Sequence, residues 1–176
     1  MVRLSPLSDP SDAPDDVRDA VAYVIESRGR VPGPSGVLLR TPAIGRAFSD
    51  ICGELQDGDT VVAKALLELA MCVVGRTTDS AVIWESHSRR ALKAGASAAA
   101  VDAIQRDDTL RELGSDEATV IAFAREASRE PTVSDATFDA AVARFSERGV
   151  AELTAAVGAY LMAACVIRVA RLEPRR

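Results

Sequence analysis

Val61-Val62-Ala63-Lys64-Ala65-Leu66-Leu67-Glu68-Leu69-Ala70-Met71-Cys72-Val73-Val74 is apolar almost all the way round a helical wheel, with one carboxylate in its middle. A helix of that kind belongs in a core rather than on a surface. The stretch predicts a buried helix from about Thr60 to Val74 with Glu68 inside it. Gly75-Arg76-Thr77-Thr78-Asp79 reads as the turn that follows, and Ser80-Ala81-Val82-Ile83-Trp84-Glu85-Ser86-His87 opens the next helix, which Gly95 closes. In this second helix Ser80, Ile83, Trp84, His87 and Ala91 recur at spacings of three and four and so form one stripe. His87 is the single histidine of the chain. A carboxylate and an imidazole on neighbouring helices, both among apolar groups, are the raw material of a proton-transfer site.

Working outward, 176 residues with 48% hydrophobic content can bury a core as one domain. Aromatics are 4% and alanine is plentiful, so the core is expected to be small, aliphatic and all-α. The net charge of −5 has no long run of either sign behind it, and the pairs Arg89-Arg90 and Arg175-Arg176 stand isolated. Nucleic acid is therefore not an expected partner. The most apolar stretch, in the last helix, is broken by Arg168 and preceded by Glu152, and the N-terminus carries no basic-then-apolar leader. The expectation is a cytoplasmic protein with no membrane span. Cys52, Cys72 and Cys165 are odd in number, far apart and set in apolar patterns, which suits reduced core thiols. No metal site is expected, because one histidine and no paired cysteines leave too few zinc ligands.

In chain order, residues 1–13 hold Pro6 and Pro10 among Ser and Asp and read as a flexible arm, leaving 14–176 as the single domain. Pro14, Asp15 and Asp16 start a helix whose apolar face ends at Gly29. Gly29-Arg30-Val31-Pro32-Gly33-Pro34-Ser35-Gly36 reads as a long loop, because proline removes donors and glycine raises backbone entropy. Thr41-Pro42 opens a helix that Asp57-Gly58-Asp59 ends, and Ser97, Ser115 and Ser134 each cap a further one. Pro131 stops the second of these, Gly149 the third, and a last apolar helix runs from Val150 to about Leu172. No strand-period segment and no repeat competes.

Glu68, then Trp84-Glu85-Ser86-His87, Ala91, Lys93-Ala94-Gly95-Ala96-Ser97, Val150-Ala151-Glu152-Leu153 and Gly158-Ala159-Tyr160 together resemble the carboxymuconolactone decarboxylase family, which shares its fold with alkylhydroperoxidase D. The resemblance covers residues 30–172 and implies an alkylhydroperoxidase D-like bundle of about seven or eight helices. In the family's peroxidase branch a glutamate is followed, twelve and fifteen residues on, by the cysteines of a C-x-x-C motif, and nineteen on by a histidine. Counting from Glu68 reaches Ser80, Ile83 and His87. The acid and the imidazole match while both thiols are absent, so thiol peroxidase activity is not expected. The decarboxylase branch also lacks the cysteine pair and works without cofactor, its histidine and acidic groups moving protons as a lactone loses carbon dioxide.

The resemblance thus implies a cofactor-independent lyase or related acid/base enzyme for a small carboxylated or lactone-like metabolite. His87 and Glu68 are its catalytic candidates, and Ser80, Ile83, Trp84 and Tyr160 its pocket candidates. Two alternatives stand beside it: a redox protein that has lost its cysteine pair, and a non-catalytic small-molecule-binding homo-oligomer. Glu68 could instead pair structurally with Lys64, Arg76 or Arg125, Ser80 could act as a helix cap, and Glu85 could pair with Arg89 on the surface. Arg40, Arg46 and Arg76 are the candidate cations for an anionic substrate. Two helices apolar on more than one side, with the family's habit of assembly, imply a homotrimer or homohexamer.

Overall fold

A computed structural model of the chain describes residues 2–174, so Arg175 and Arg176 lie outside the described residues. Eight α-helices and a short 3-10 turn at Pro10–Asp12 make up its regular structure, and no strand occurs among the described residues. The helices are α1 Asp15–Arg28, α2 Gly33–Leu38, α3 Pro42–Asp57, α4 Lys64–Thr77, α5 Ala81–Ala94, α6 Ala98–Arg106, α7 Ser115–Arg129 and α8 Asp135–Ala170. The all-α expectation holds.

α4 is the hub, packing against α5, α7 and α8, while α1 joins through α3 and α2 packs on both α3 and α8. Every residue from Leu66 to Gly75 is buried, as its all-round apolar sequence requires. The helix begins at Lys64, later than expected, because the backbone N–H groups of Val61 and Val62 are held outside it by the Glu152 carboxylate, at 3.1 and 2.9 Å. It also ends later, since Gly75 is helical rather than part of a turn. A Cβ there would stand 2.9 Å from the Trp84 backbone nitrogen, so this glycine is what lets α5 lie down tightly on α4.

Two further boundaries differ from the sequence reading. The expected loop over Gly29–Gly36 contains the start of α2, with Pro32 as its N-cap and a proline in its first turn, where the missing N–H is not needed. The break near the end of the chain falls at Ser146, φ 64° and ψ 172°, inside the continuous element α8 rather than at Gly149. No glycine or proline marks that position. Ser97 and Ser134 do cap α6 and α8, their hydroxyls accepting from Ala100 and Thr137 N–H groups.

The N-terminal segment, expected as an arm, lies docked on the domain. Leu7 N–H donates to Gly36 O at 3.0 Å, Arg3 N–H to Ala170 O at 2.8 Å, and Arg40 to Ser5 O at 3.0 Å. Gly36 is required for this contact, since a Cβ would meet Leu7 O at 2.6 Å. α8 is long and apolar enough by composition to cross a membrane, yet half of that window is buried as the central helix of the bundle. All three cysteines are free; Cys52 and Cys72 are core thiols as expected, whereas Cys165 is exposed on the outer face of α8.

Candidate functional site

Glu68 is 7% exposed in the middle of α4, and a carboxylate there needs partners to offset the loss of water. They come from α5. His87, 5% exposed, places Nδ1 at 2.6 Å from Glu68 Oε2, and Arg90 Nη1 lies 3.5 Å from Oε1. A carboxylate only accepts, so Nδ1 supplies the hydrogen of this bond. The cations that the sequence offers as structural partners for Glu68 are occupied elsewhere: Lys64 donates to Gly58 O at 2.6 Å, Arg76 to Gln105 O at 3.0 Å, and Arg125 to Ala103 and Asp108 carbonyls. Arg90, one turn beyond His87, has no local signal in the sequence pointing at Glu68.

On its other side His87 meets Tyr160 of α8 edge to face, ring centroids 4.5 Å apart and planes at 81°. The Tyr160 Oη accepts from Gln56 Nε2 at 2.6 Å, and Gln56 Oε1 accepts from Arg28 Nη2 at 2.7 Å. Arg28 also pairs with Asp57 at 3.2 Å. One polar chain therefore runs from α1 through the end of α3 to α8, and stops at the imidazole.

These groups line a cleft of about 720 Å3, whose walls include Arg28, Cys52, Gln56, Ile83, His87 and Tyr160. Arg30, Arg89 and Arg90 add cationic character, while Val2 and Pro6 of the N-terminal segment and Leu172 to Pro174 close part of the mouth. Of the six residues singled out in the sequence, Ile83, His87 and Tyr160 line this cleft, and Glu68 backs it through His87. Ser80 does not: it is buried beside a separate depression of about 280 Å3, and although it stands at the N-cap of α5 its hydroxyl makes no cap bond. Trp84 is also outside the wall, half-buried against the core where α5 crosses Gly75. Arg40, Arg46 and Arg76 lie away from the cleft, and its cations are Arg28, Arg30, Arg89 and Arg90 instead. Among the described residues no three His, Cys, Asp or Glu side chains gather as a metal site.

Burial pushes the Cys52 thiol up to about 11, with Arg28 pulling the other way. Cys72, one turn after Glu68, is raised further, by burial and then by the nearby carboxylate. Neither is poised as a thiolate near neutral pH. Tyr160 is held well above the usual phenol range, chiefly by burial and then by Cys52 and Glu68, so its hydroxyl keeps its proton.

No family model matches the sequence, nor does any curated protein. Solved structures do. The debrominase Bmp8, as a cysteine-to-alanine variant in complex with 2,3,4-tribromopyrrole, superposes with a TM-score of 0.75 at 16% identity, covering 99% of this chain and 92% of that one. The alkylhydroperoxidase AhpD core of an uncharacterized peroxidase-related protein from Ralstonia eutropha gives 0.75 at 18% identity, covering 99% and 94%. The chain has the AhpD-like fold, the one shared with carboxymuconolactone decarboxylases.

Proposed function

We propose that this protein is an acid/base enzyme for a small carboxylated or lactone-like metabolite, a carbon–carbon lyase of the carboxymuconolactone decarboxylase kind. The observation that carries the reading is the 2.6 Å contact between His87 Nδ1 and buried Glu68, made by a histidine that also lines the cleft. Glu68 accepts from Nδ1–H and so fixes the orientation of the ring, leaving Nε2 as the atom that takes up a proton and delivers it as general acid. As carbon dioxide leaves, the breaking carbon–carbon bond places its electron pair in a conjugated carbonyl. Nε2–H then delivers a proton to the carbon that carried the carboxylate as the electron pair returns from the carbonyl oxygen, and the imidazole takes a new proton from solvent. Arg90 and Arg28, both in the cleft wall, supply charge complementary to a carboxylate.

The redox alternative is weaker on two counts. Ser80 and Ile83 stand where the peroxidase branch has thiols, and the cleft's Cys52 is held as a thiol by burial. The debrominase neighbour holds a small planar ring, a scale of ligand that suits a cleft of about 720 Å3. His87→Gln tests the proposal: on an unsaturated lactone carboxylate, turnover should fall on the order of a hundredfold or more while the melting temperature changes little. A well-folded variant with unchanged turnover from pH 5 to 8 removes it.

We also propose a cytoplasmic homotrimer or a multiple of it. Free thiols suit a reducing compartment. Met162, Cys165 and Val169 follow one another on one exposed side of α8, an apolar stripe that a second copy would cover. Val169→Asp should shift the assembly toward monomer in light scattering. A wild-type mass near 18.6 kDa at micromolar concentration would remove this reading.

A further inference from the structure

The polarity of the chain leading to Tyr160 is fixed by chemistry rather than by convention. Arginine has no acceptor, so the atom of Gln56 facing Arg28 at 2.7 Å must be the carbonyl oxygen. The amide nitrogen then faces Tyr160, and the 2.6 Å bond between them must run from Gln56 to the phenol oxygen. Had the amide been free to turn over, Tyr160 could have donated to it. With the amide locked, the hydroxyl hydrogen is excluded from that bond. No hydrogen bond among the described residues takes it, and Tyr160 lines the cleft beside His87.

We propose that Tyr160 is a catalytic hydrogen-bond donor, held in donor polarity by Gln56 and Arg28, and that it receives the carbonyl oxygen of the substrate while His87 handles the proton on carbon. The proposal rests on the acid/base reading and narrows its substrate class: the molecule must present a carbonyl or lactone oxygen conjugated to the reacting carbon. When the bond to the departing group breaks, its electron pair moves onto that oxygen, and Tyr160 stabilises the charge by donating without giving up its proton. The proton delivered to carbon comes from His87 Nε2, and the oxygen returns to a carbonyl. A neutral donor suits this task because a bond that strengthens as charge develops lowers the barrier, whereas one equally strong in the ground state does not. Gln56 and Arg28 are positioning residues. Each donates one step along the chain, and each such donation makes the next hydrogen more acidic.

The test uses 4-nitrophenolate and its ring-substituted relatives of graded basicity, planar conjugated oxyanions that stand in for the enolate. Their own absorbance reports binding to the full-length protein. Wild type should bind them with an affinity that rises with oxyanion basicity. Tyr160→Phe, which keeps the ring packed on His87, should weaken binding on the order of tenfold or more and flatten that dependence. Gln56→Glu places an acceptor where the donor was, so the tyrosine hydrogen should turn to the new carboxylate and a similar loss follow. Because an added charge could repel the probe by itself, the double variant decides: capture of the hydrogen predicts little further loss on the Tyr160→Phe background, whereas simple repulsion predicts full additivity. No wild-type binding, a flat basicity dependence, equal binding by Tyr160→Phe, or full additivity would each overturn the proposal. The two readings fail separately. Unchanged turnover in His87→Gln with weakened binding in Tyr160→Phe removes the acid/base reading and leaves the donor, and the opposite pattern removes the donor alone.

Discussion

Two walls of the cleft meet where His87 packs edge to face on Tyr160, and they are held together differently. The α4–α5 wall joins His87 and Glu68, 19 positions apart in the chain, through a buried bond between titratable groups with Arg90 behind them. The second wall links Arg28, Gln56 and Tyr160 across separations of 28 and 104 positions. Apart from its first member it is neutral. A paired acid and base can store and release a proton, whereas a chain with fixed donor direction can only stabilise charge that appears beside it. The site thus divides proton movement from charge stabilisation between two separately supported faces.

Removing the carboxylate should break the first wall most. Glu68→Ala leaves His87 and Arg90 without their buried acceptor, and the expected cost is about 3–5 kcal/mol of unfolding free energy. Glu68→Gln keeps an acceptor for Nδ1–H and should cost clearly less in denaturant titrations. Equal losses would mean that charge, not the hydrogen bond, holds this wall. Arg28→Met should have the smaller effect on the second wall. Gln56 loses one donor in a half-buried setting where water can partly replace it, so about 1 kcal/mol is expected. A loss as large as that of Glu68→Ala would make the two walls energetically equivalent.

The difference between the walls also explains why one is legible in the sequence and the other is not. Glu68 and His87 stand out because each interrupts an apolar stripe, and because the two helices follow one another directly. Arg28 and Gln56 give no such contrast. The first sits in the last turn of α1, where a basic residue ordinarily answers the helix dipole. The second sits one residue before the end of α3 and looks like any polar residue near a helix terminus. Both gain their role when α1, α3 and α8 meet, which is tertiary information. Gly75 is ambiguous for a related reason. A glycine can end a helix or admit a neighbour, and only the 2.9 Å approach to the Trp84 backbone separates the two. Ser146 carries no signal at all, since serine is neither a breaker nor a residue that favours φ 64°.

A final comparison separates the walls by pH. Cys72 lies behind the first wall, beside Glu68, and Cys52 lies in the second, near Arg28 and Tyr160. Both thiols are raised by burial from an unfolded value near 9.0, Cys52 to about 11 and Cys72 further. A raised folded pKa means that the native state holds its proton longer than the unfolded chain. The corresponding stability is therefore complete below pH 9 and is lost as pH rises toward the folded values. Between pH 9 and 10, before the unfolded tyrosine value of 10.0 brings Tyr160 in with the same sign, each thiol contributes a slope approaching 1.4 kcal/mol per pH unit. Cys52→Ala should remove about half of that slope and Cys72→Ala the other half. If Cys52→Ala leaves the slope intact, that thiol ionises in the folded protein as easily as in the unfolded one. The second wall would then be open to water at Cys52, and a hydrated wall would weaken the case for Tyr160 as a donor in a dry site.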